Sequence, residues 1–288
     1  TINFENVKQI TLCGASGLDN NGEPKDAIVG NDGPRPLTVN SGNIRINNLK
    51  LTGGKSTEGG GIYVKDGATV TLDDGAVVSN NHGDKSELGQ SGKYGGLGGG
   101  VFVDGGKLYM RGTARICNNT AGLASEEQDA SYCGYGAGVF VNMGQFIMEG
   151  GTISGNEGIG ASFNGFYQYT GYKVYYLDFS SGAGVYLNTA YGGRFVMSGG
   201  TISGNTIDID ANTSTIFINT IQGNNPNDEV HIEGGGNGVW FEAGCLCRGS
   251  WSDFSMSGGA YIDDIYMYCG HEAEPSNGCA SGINITDE

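Results

Sequence analysis

Apolar residues along this chain come in pairs with one position between their members, and the pairs recur. One series reads Ile44/Ile46, Val70/Leu72, Leu108/Met110, Phe146/Met148, Phe195/Met197 and Phe254/Met256. A second series lies upstream of the first in every unit: Leu37/Val39, Ile62/Val64, Val101/Val103, Val139/Val141, Val185/Leu187 and Val239/Phe241. A period of two is the mark of a β-strand with one buried face. A third, shorter run carries Val78, Ile116, Ile153 and Ile202, followed by Asn81, Asn119, Asn156 and Asn205. The whole unit is written out in "GAGVYLNTAYGGRFVMSGGTISGN", Gly182–Asn205, and earlier versions start at Gly136, Gly98 and Gly59.

Three short strands per unit, separated by Gly and Asn, predict one triangular coil of a solenoid. Gly and Asn suit the corners because they enter positive φ at low cost. Stacked units make all-β sheets of parallel strands, and crossovers between parallel strands are right-handed. The expected fold is a single right-handed parallel β-helix over 1–288. Its regular coils are placed over 37–262, with a Cys-containing segment over 263–288. Asparagines one coil apart are expected to hydrogen-bond along the stack.

The repeat length varies, and the variation has a direction. Leu72 to Met110 and Met110 to Met148 both span 38 positions, Met148 to Met197 spans 49 and Met197 to Met256 spans 59. Every extra stretch falls between the Asn corner and the next glycine-rich corner, so the insertions are expected along one edge. Such an edge is either a binding face or a set of tolerated surface loops.

Between the paired residues of the upstream series stands one outward residue per coil: Tyr63, Phe102, Phe140, Tyr186 and Trp240. Strand spacing puts neighbours in this row about 4.8 Å apart. Five aromatics in a row have two explanations. Either the insertions fold back and bury them as a second core, or they form a platform for sugar rings or a partner molecule. The aromatic insertion "FNGFYQYTGYKVYYLDF", Phe163–Phe179, fits both.

Composition narrows the partners. The chain holds 31 Asp+Glu against 15 Lys+Arg, a net charge of -16. Nucleic acid and anionic membrane surfaces need the opposite sign. No apolar run reaches the length of a membrane-spanning helix, so no membrane insertion is expected. Glycine is 55 of 288 residues without a three-residue period, which excludes collagen.

Seven cysteines without a CxxC pair point to an oxidising, extracellular or cell-surface location. Cys117 takes the place of Ser79, Ser154 and Ser203 in other units, and Cys133 lies in the next insertion, so a disulfide between them would pin that insertion. Cys245 and Cys247 are expected to bond to Cys269 and Cys279, in either combination. Cys13 is left over, as a thiol or as an intermolecular bond. Asn118, Asn212 and Asn284 head N-x-[ST] sequons and are glycosylation candidates. Asp208, Asp210 and Asn212 form a candidate calcium site in "DIDANT", whose sixth and twelfth positions depart from an EF-hand. No other cofactor is expected.

No catalytic constellation emerges. "LDDG" at Leu72–Gly75 and "IDDI" at Ile262–Ile265 place carboxylates side by side, but adjacent strand residues point to opposite faces. "NHGDK" at Asn81–Lys85 is the best local cluster. "GGKST" at Gly53–Thr57 lacks the first glycine of a phosphate loop.

"GGTISGN" after "GAGV[FY][VL]N" resembles the repeats of bacterial cell-surface right-handed β-helix proteins. These include the polymorphic outer-membrane type, which are adhesins and autotransporter passengers. The likeness covers about Leu37 to Ile262. It implies a non-enzymatic extracellular structural or adhesive protein, with glycans or a host or cell surface as partners. The chain itself is a further expected partner, through end-to-end assembly into a filament. The alternative is a carbohydrate-active β-helix enzyme, a lyase or hydrolase, or a glycan-binding adhesin module.

Overall fold

The alternating pairs form strands, and the strands stack. The computed structural model describes residues 9–84, 94–123, 132–170, 172–188, 192–208, 229–235, 237–243, 254–269 and 283–286. Among these residues there is no helix. The chain is all-β, and most of its pairing is parallel and in register.

The upstream series makes one seven-stranded sheet. Leu37–Val39, Ile62–Lys65, Val101–Asp104, Val139–Asn142, Val185–Asn188, Val239–Ala243 and Ile265–Cys269 lie in chain order, each parallel to the next. Ile62, Val101, Val139, Val185 and Val239 stand in one row. The second series does the same, with Ile44, Val70, Leu108, Phe146, Phe195 and Phe254 in register. A third row runs Leu51, Val78, Ile116, Ile153, Ile202 and Ile262. These rows supply the core. Ile46, Leu51, Val70, Leu108, Met110, Ile116, Phe146, Met148, Phe195 and Ile202 are all at 0% exposure. Phe146 and Phe195 stack with ring centres 4.8 Å apart and planes 3° from parallel.

The rows run past residues 37–262 at both ends. Gln9–Cys13 pairs with Gly42–Asn47, and Ala27–Gly33 with Lys50–Ser56. Ile283–Thr286 pairs with Phe254–Ser257. The end strands carry the same alternation, in Ile10/Leu12 and Ile283/Ile285, without the glycine-rich corner that marks the other units.

Each corner divides its work between two residues. Asn80, Asn118, Gly155 and Gly204 take positive φ, at 54°, 55°, 63° and 63°. The residue after each of these is the ladder asparagine. Asn81 Nδ2 donates to Asn119 Oδ1 at 3.0 Å, Asn119 Nδ2 to Asn156 Oδ1 at 2.9 Å, and Asn156 Nδ2 to Asn205 Oδ1 at 2.9 Å. The same oxygens accept backbone N–H groups of Asn81, Asn119 and Asn156. The four side chains are buried at 0 to 3%. Burial without these bonds would cost several kcal/mol per group, about 2 to 7 depending on the reference state.

The insertions leave from the Asn corner, as expected, and their described residues form β-strands. Thr120–Leu123 runs antiparallel to Tyr132–Tyr135, and Ala161–Tyr169 runs antiparallel to Tyr172–Ser181. The returning strands then pair in parallel from unit to unit, Tyr94–Leu97 with Tyr132–Tyr135, that strand with Tyr172–Ser181, and the last with Glu229–Gly235. A hairpin can lengthen without disturbing the rows, because only its two ends are fixed by the stack.

Candidate functional site

The aromatic row is covered. Phe102, Phe140 and Tyr186 are exposed by only 3%, 5% and 6%. They form a second cluster, with Tyr63, Leu97 and Tyr135 packed against it. Leu97 and Tyr135 belong to the returning strands of the insertions, so the fold-back explanation is the one realised. The rings touch in sequence: Tyr63–Phe102 at 5.2 Å, Phe102–Phe140 at 5.3 Å and Phe140–Tyr186 at 4.7 Å. Tyr135 meets Tyr186 edge-on at 5.3 Å. This corrects the expectation of a ligand platform at Phe102, Phe140 and Tyr186, because the hairpins already occupy the ring faces. Trp240 keeps its backbone place in the row, paired with Tyr186; its side chain lies outside the described residues.

The row ends in a polar group that the sequence did not announce. The Tyr63 hydroxyl donates to Asp104 at 2.8 Å. The Arg35 guanidinium lies 4.8 Å and the Lys65 ammonium 5.5 Å from the centre of the Tyr63 ring. Arg35 Nη2 donates to Ser56 Oγ at 2.6 Å, while the buried Nη1 has no hydrogen-bond partner among the described residues. Burial, then the carboxylate of Asp104, pushes Glu58 above its usual value, while Arg35 and Lys65 pull the other way. Burial also raises the Tyr63 phenol, and its bond to Asp104 adds to that. The tyrosine therefore stays neutral and donates. Asp104 accepts a second bond from Asn142 Nδ2 at 3.1 Å. The signal in the sequence was the column Lys65, Asp104, Asn142, Asn188, two positions after the aromatic in each of these units.

A second polar corner gathers the "NHGDK" residues that can be described. His82 Nδ1 lies 2.7 Å from Thr120 Oγ1, and Nε2 lies 3.8 Å from Asp84 Oδ1. Lys55, from the preceding unit, reaches Asp84 Oδ2 at 3.4 Å. Register brings Lys55 beside His82 and His82 beside Thr120. Burial lowers the His82 pKa against the pull of Asp84, so the ring is neutral at pH 7. A neutral imidazole thus lies between a hydroxyl and a carboxylate.

Cys117 and Cys133 are both thiols, which corrects the expected bridge. The corner at Asn118–Asn119 turns the chain between them. Cys133 then lies opposite Gly122 and beside Tyr94, while Cys117 stays in the third row beside Ser79 and Ser154. Burial raises the Cys117 thiol, which favours its protonated form. Cys13 is an exposed thiol. Cys245, Cys247 and Cys279 lie outside the described residues, as does the Cys269 side chain.

The remaining candidates divide in the same way. Asn118 is exposed at the positive-φ corner, and Thr120 of its sequon engages His82. Asn284 is described in backbone only, paired with Ser255. Asn212 lies outside the described residues. Of the calcium candidates, Asp208 is exposed at the end of Thr206–Asp208, and Asp210 lies outside with Asn212. No group of three or more His, Cys, Asp or Glu that could hold a metal is present among the described residues. Compared with known proteins, the chain matches no family model, no curated protein and no solved structure.

Proposed function

We propose that this chain is a right-handed parallel β-helix serving as a non-enzymatic extracellular scaffold, structural or adhesive, that presents hairpins along one edge. The observation that carries this reading is the unbroken register of the first sheet from Leu37 to Ile265, unit upon unit. Stacking of this kind gives a stiff, elongated body in which each unit touches its neighbours. Small-angle scattering tests it: a rod-like distance distribution supports the scaffold, and a globular one rules it out.

The scaffold has itself as its first partner in this reading. A sheet whose last strand is unpaired offers a row of N–H and C=O groups, and head-to-tail pairing of unlike ends propagates as a filament. The exposed thiol of Cys13 lies on Gln9–Cys13, beside Gly42–Asn47, and supplies a cross-link. Electron microscopy over a concentration series, with and without reductant, separates filaments from single rods. Bacterial cell-surface adhesion, glycan or host-surface partners and bound calcium extend this reading.

One observation favours the enzymatic alternative, the neutral His82 between Thr120 and Asp84. A polysaccharide-cleaving activity lost in His82→Ala would establish it. The scaffold reading expects no reducing ends or unsaturated products from pectin, alginate or chondroitin.

A further inference from the structure

The loop between Gln9–Cys13 and Ala27–Gly33 does not stay at its own level of the stack. Residues 14–26 form a tongue, closed by a bridge between Leu18 and Pro24. Asp19 Oδ1 accepts the N–H groups of Asn21 and Glu23, each at 2.8 Å. Gly22 turns the tip at a φ of 77°. The tip reaches Arg115: Glu23 Oε1 lies 2.7 Å from Arg115 Nη2, and the Gly22 carbonyl accepts from the same nitrogen at 3.4 Å. Register in this row runs Ala27, Lys50, Val77, Arg115. The loop therefore passes over the place of Val77 to reach its anchor.

Burial on the outer side of the third row records that passage. Val78 belongs to the core, so Val77 and Ser79 stand at outward positions. They are nevertheless exposed by only 0% and 2%. Ser154 and Ser203, at the place of Ser79 in later units, are only half-buried. Pro24, beside Glu23, is buried too. Cys117 is the register neighbour of Ser79, and the charges of Arg115, Glu23 and Lys50 act on its thiol.

Two opposed effects act on the closed loop. The Glu23–Arg115 pair holds it, and holds it weakly, because both side chains are about a third exposed, at 34% and 33%. Closure also buries the Ser79 hydroxyl, which has no hydrogen-bond partner among the described residues. A buried, unpaired hydroxyl is unfavourable, and water satisfies it once the loop lifts.

We propose that residues 14–26 are a strap that opens and closes over Cys117, so that the Glu23–Arg115 pair governs whether this thiol exchanges with a disulfide. In the exchange the Cys117 thiol gives its proton to solvent and the thiolate attacks one sulfur of the disulfide. A mixed disulfide forms, and the other sulfur leaves as a thiolate. The incoming disulfide is itself the oxidant.

The test treats the full chain with dithiodipyridine, an uncharged aromatic disulfide, and follows each thiol by peptide mass spectrometry from acid to alkaline pH. Two thiols serve as references, the exposed Cys13 and the buried Cys133. Cys13 is expected to react fastest, Cys117 more slowly and Cys133 slowest. Glu23→Gln raises the alkaline plateau rate of Cys117 about two- to fivefold. Molar salt does the same to the parent and not to the variant. Asp19→Ala, which frees the amides of Asn21 and Glu23, also raises the plateau. Loss of the Glu23 charge favours the thiolate as well, but that displaces the midpoint of the rate-pH curve and leaves the plateau in place. The plateau therefore reports opening. Circular dichroism establishes that the variants fold, and the salt series on the parent decides the matter if one does not. The proposal is overturned if Cys117 of the parent reacts as fast as Cys13, if salt and the variants leave the plateau unchanged, or if Cys133 accelerates together with Cys117, which would show a general loosening of the stack.

Discussion

Among the described residues, two stacks of aromatic rings lie in different clusters, one in the main core and one beneath the returning strands. Inside, Phe146 and Phe195 meet at 4.8 Å and 3°, enclosed by rows of side chains from the same units. Outside, Tyr63 and Phe102 meet at 5.2 Å and 50°, and Phe102 and Phe140 at 5.3 Å and 31°. Backbone register sets the spacing in both. What differs is the enclosure. The inner rings are packed by strands that recur in every unit, the outer rings by the returning strands of insertions of unequal length. The inner stack should therefore report on the whole fold, and the outer stack on the hairpins alone.

The largest effect is expected at the asparagine row, which belongs wholly to the inside. Asn119 accepts from the N–H and Nδ2 of Asn81 and donates to Val78 O and Asn156 Oδ1. Asn119→Ala leaves several of these buried groups unpaired, and the expected loss is on the order of 3 to 5 kcal/mol. Urea unfolding measures it. A loss under about 1 kcal/mol would mean that water replaces the side chain.

Phe140→Ala probes the outside. Its cost is about 3 kcal/mol, at the low end for a buried phenylalanine. Here the comparison predicts locality: faster hydrogen exchange in Thr120–Leu123 and Tyr132–Tyr135, with the amides of Gln145–Ser154 unchanged. Phe146→Ala should instead accelerate exchange throughout the stack. Identical exchange patterns in the two variants would erase the distinction between inner and outer rings.

The inside was legible in the sequence because its constraint is periodic. Val70, Leu108, Phe146 and Phe195 advertise one row by their place in each unit, and Asn81, Asn119, Asn156 and Asn205 another. At the corner the doubled "NN" conceals two duties. Asn80 and Asn118 carry the positive φ, which is why Gly155 and Gly204 replace them freely. The outside was harder to read. Tyr132–Tyr135 pairs back across a stretch whose length changes from unit to unit, so no fixed spacing marks it. The place of Cys117 in its unit and of Cys133 in the next insertion suggested a bond between them, and the corner between them sends the chain to Gly122 instead. Arg35 and Glu58 join Tyr63 from the loops before the strands, where no repeat signals them.

His82 stands where the two regions meet, in register with Thr120 at the start of Thr120–Leu123. Its pKa is lowered, first by burial and then by Lys55, against Asp84. The unfolded chain takes up the proton at higher pH than the folded one. Stability is thus full above the unfolded value of about 6.5 and falls as pH drops below it. His82→Gln, which keeps a hydrogen-bonding group toward Thr120, should flatten that part of the stability-pH curve. An unchanged slope below about pH 6.5 would assign the dependence to other groups.

The smallest effect is expected on the outward charge columns, although they share the register of the core. Arg111 donates to Glu149 through Nε at 2.6 Å and Nη2 at 3.5 Å, one unit apart. Their side chains are 42% and 43% exposed. Solvent screens such a pair, and holding two long side chains in one geometry costs entropy. Glu149→Gln removes the charge and leaves Arg111 over the Tyr109 ring at 5.0 Å, so it isolates the ion pair. The expected loss is below about 0.5 kcal/mol and should vanish in molar salt, where the Debye length is about 3 Å. A loss above roughly 1.5 kcal/mol, persisting in high salt, would show that surface columns cooperate along the stack. The stability of the stacked strands would then reside at the surface as well as in the core, and the contrast between the two aromatic stacks would no longer describe how this chain is held together.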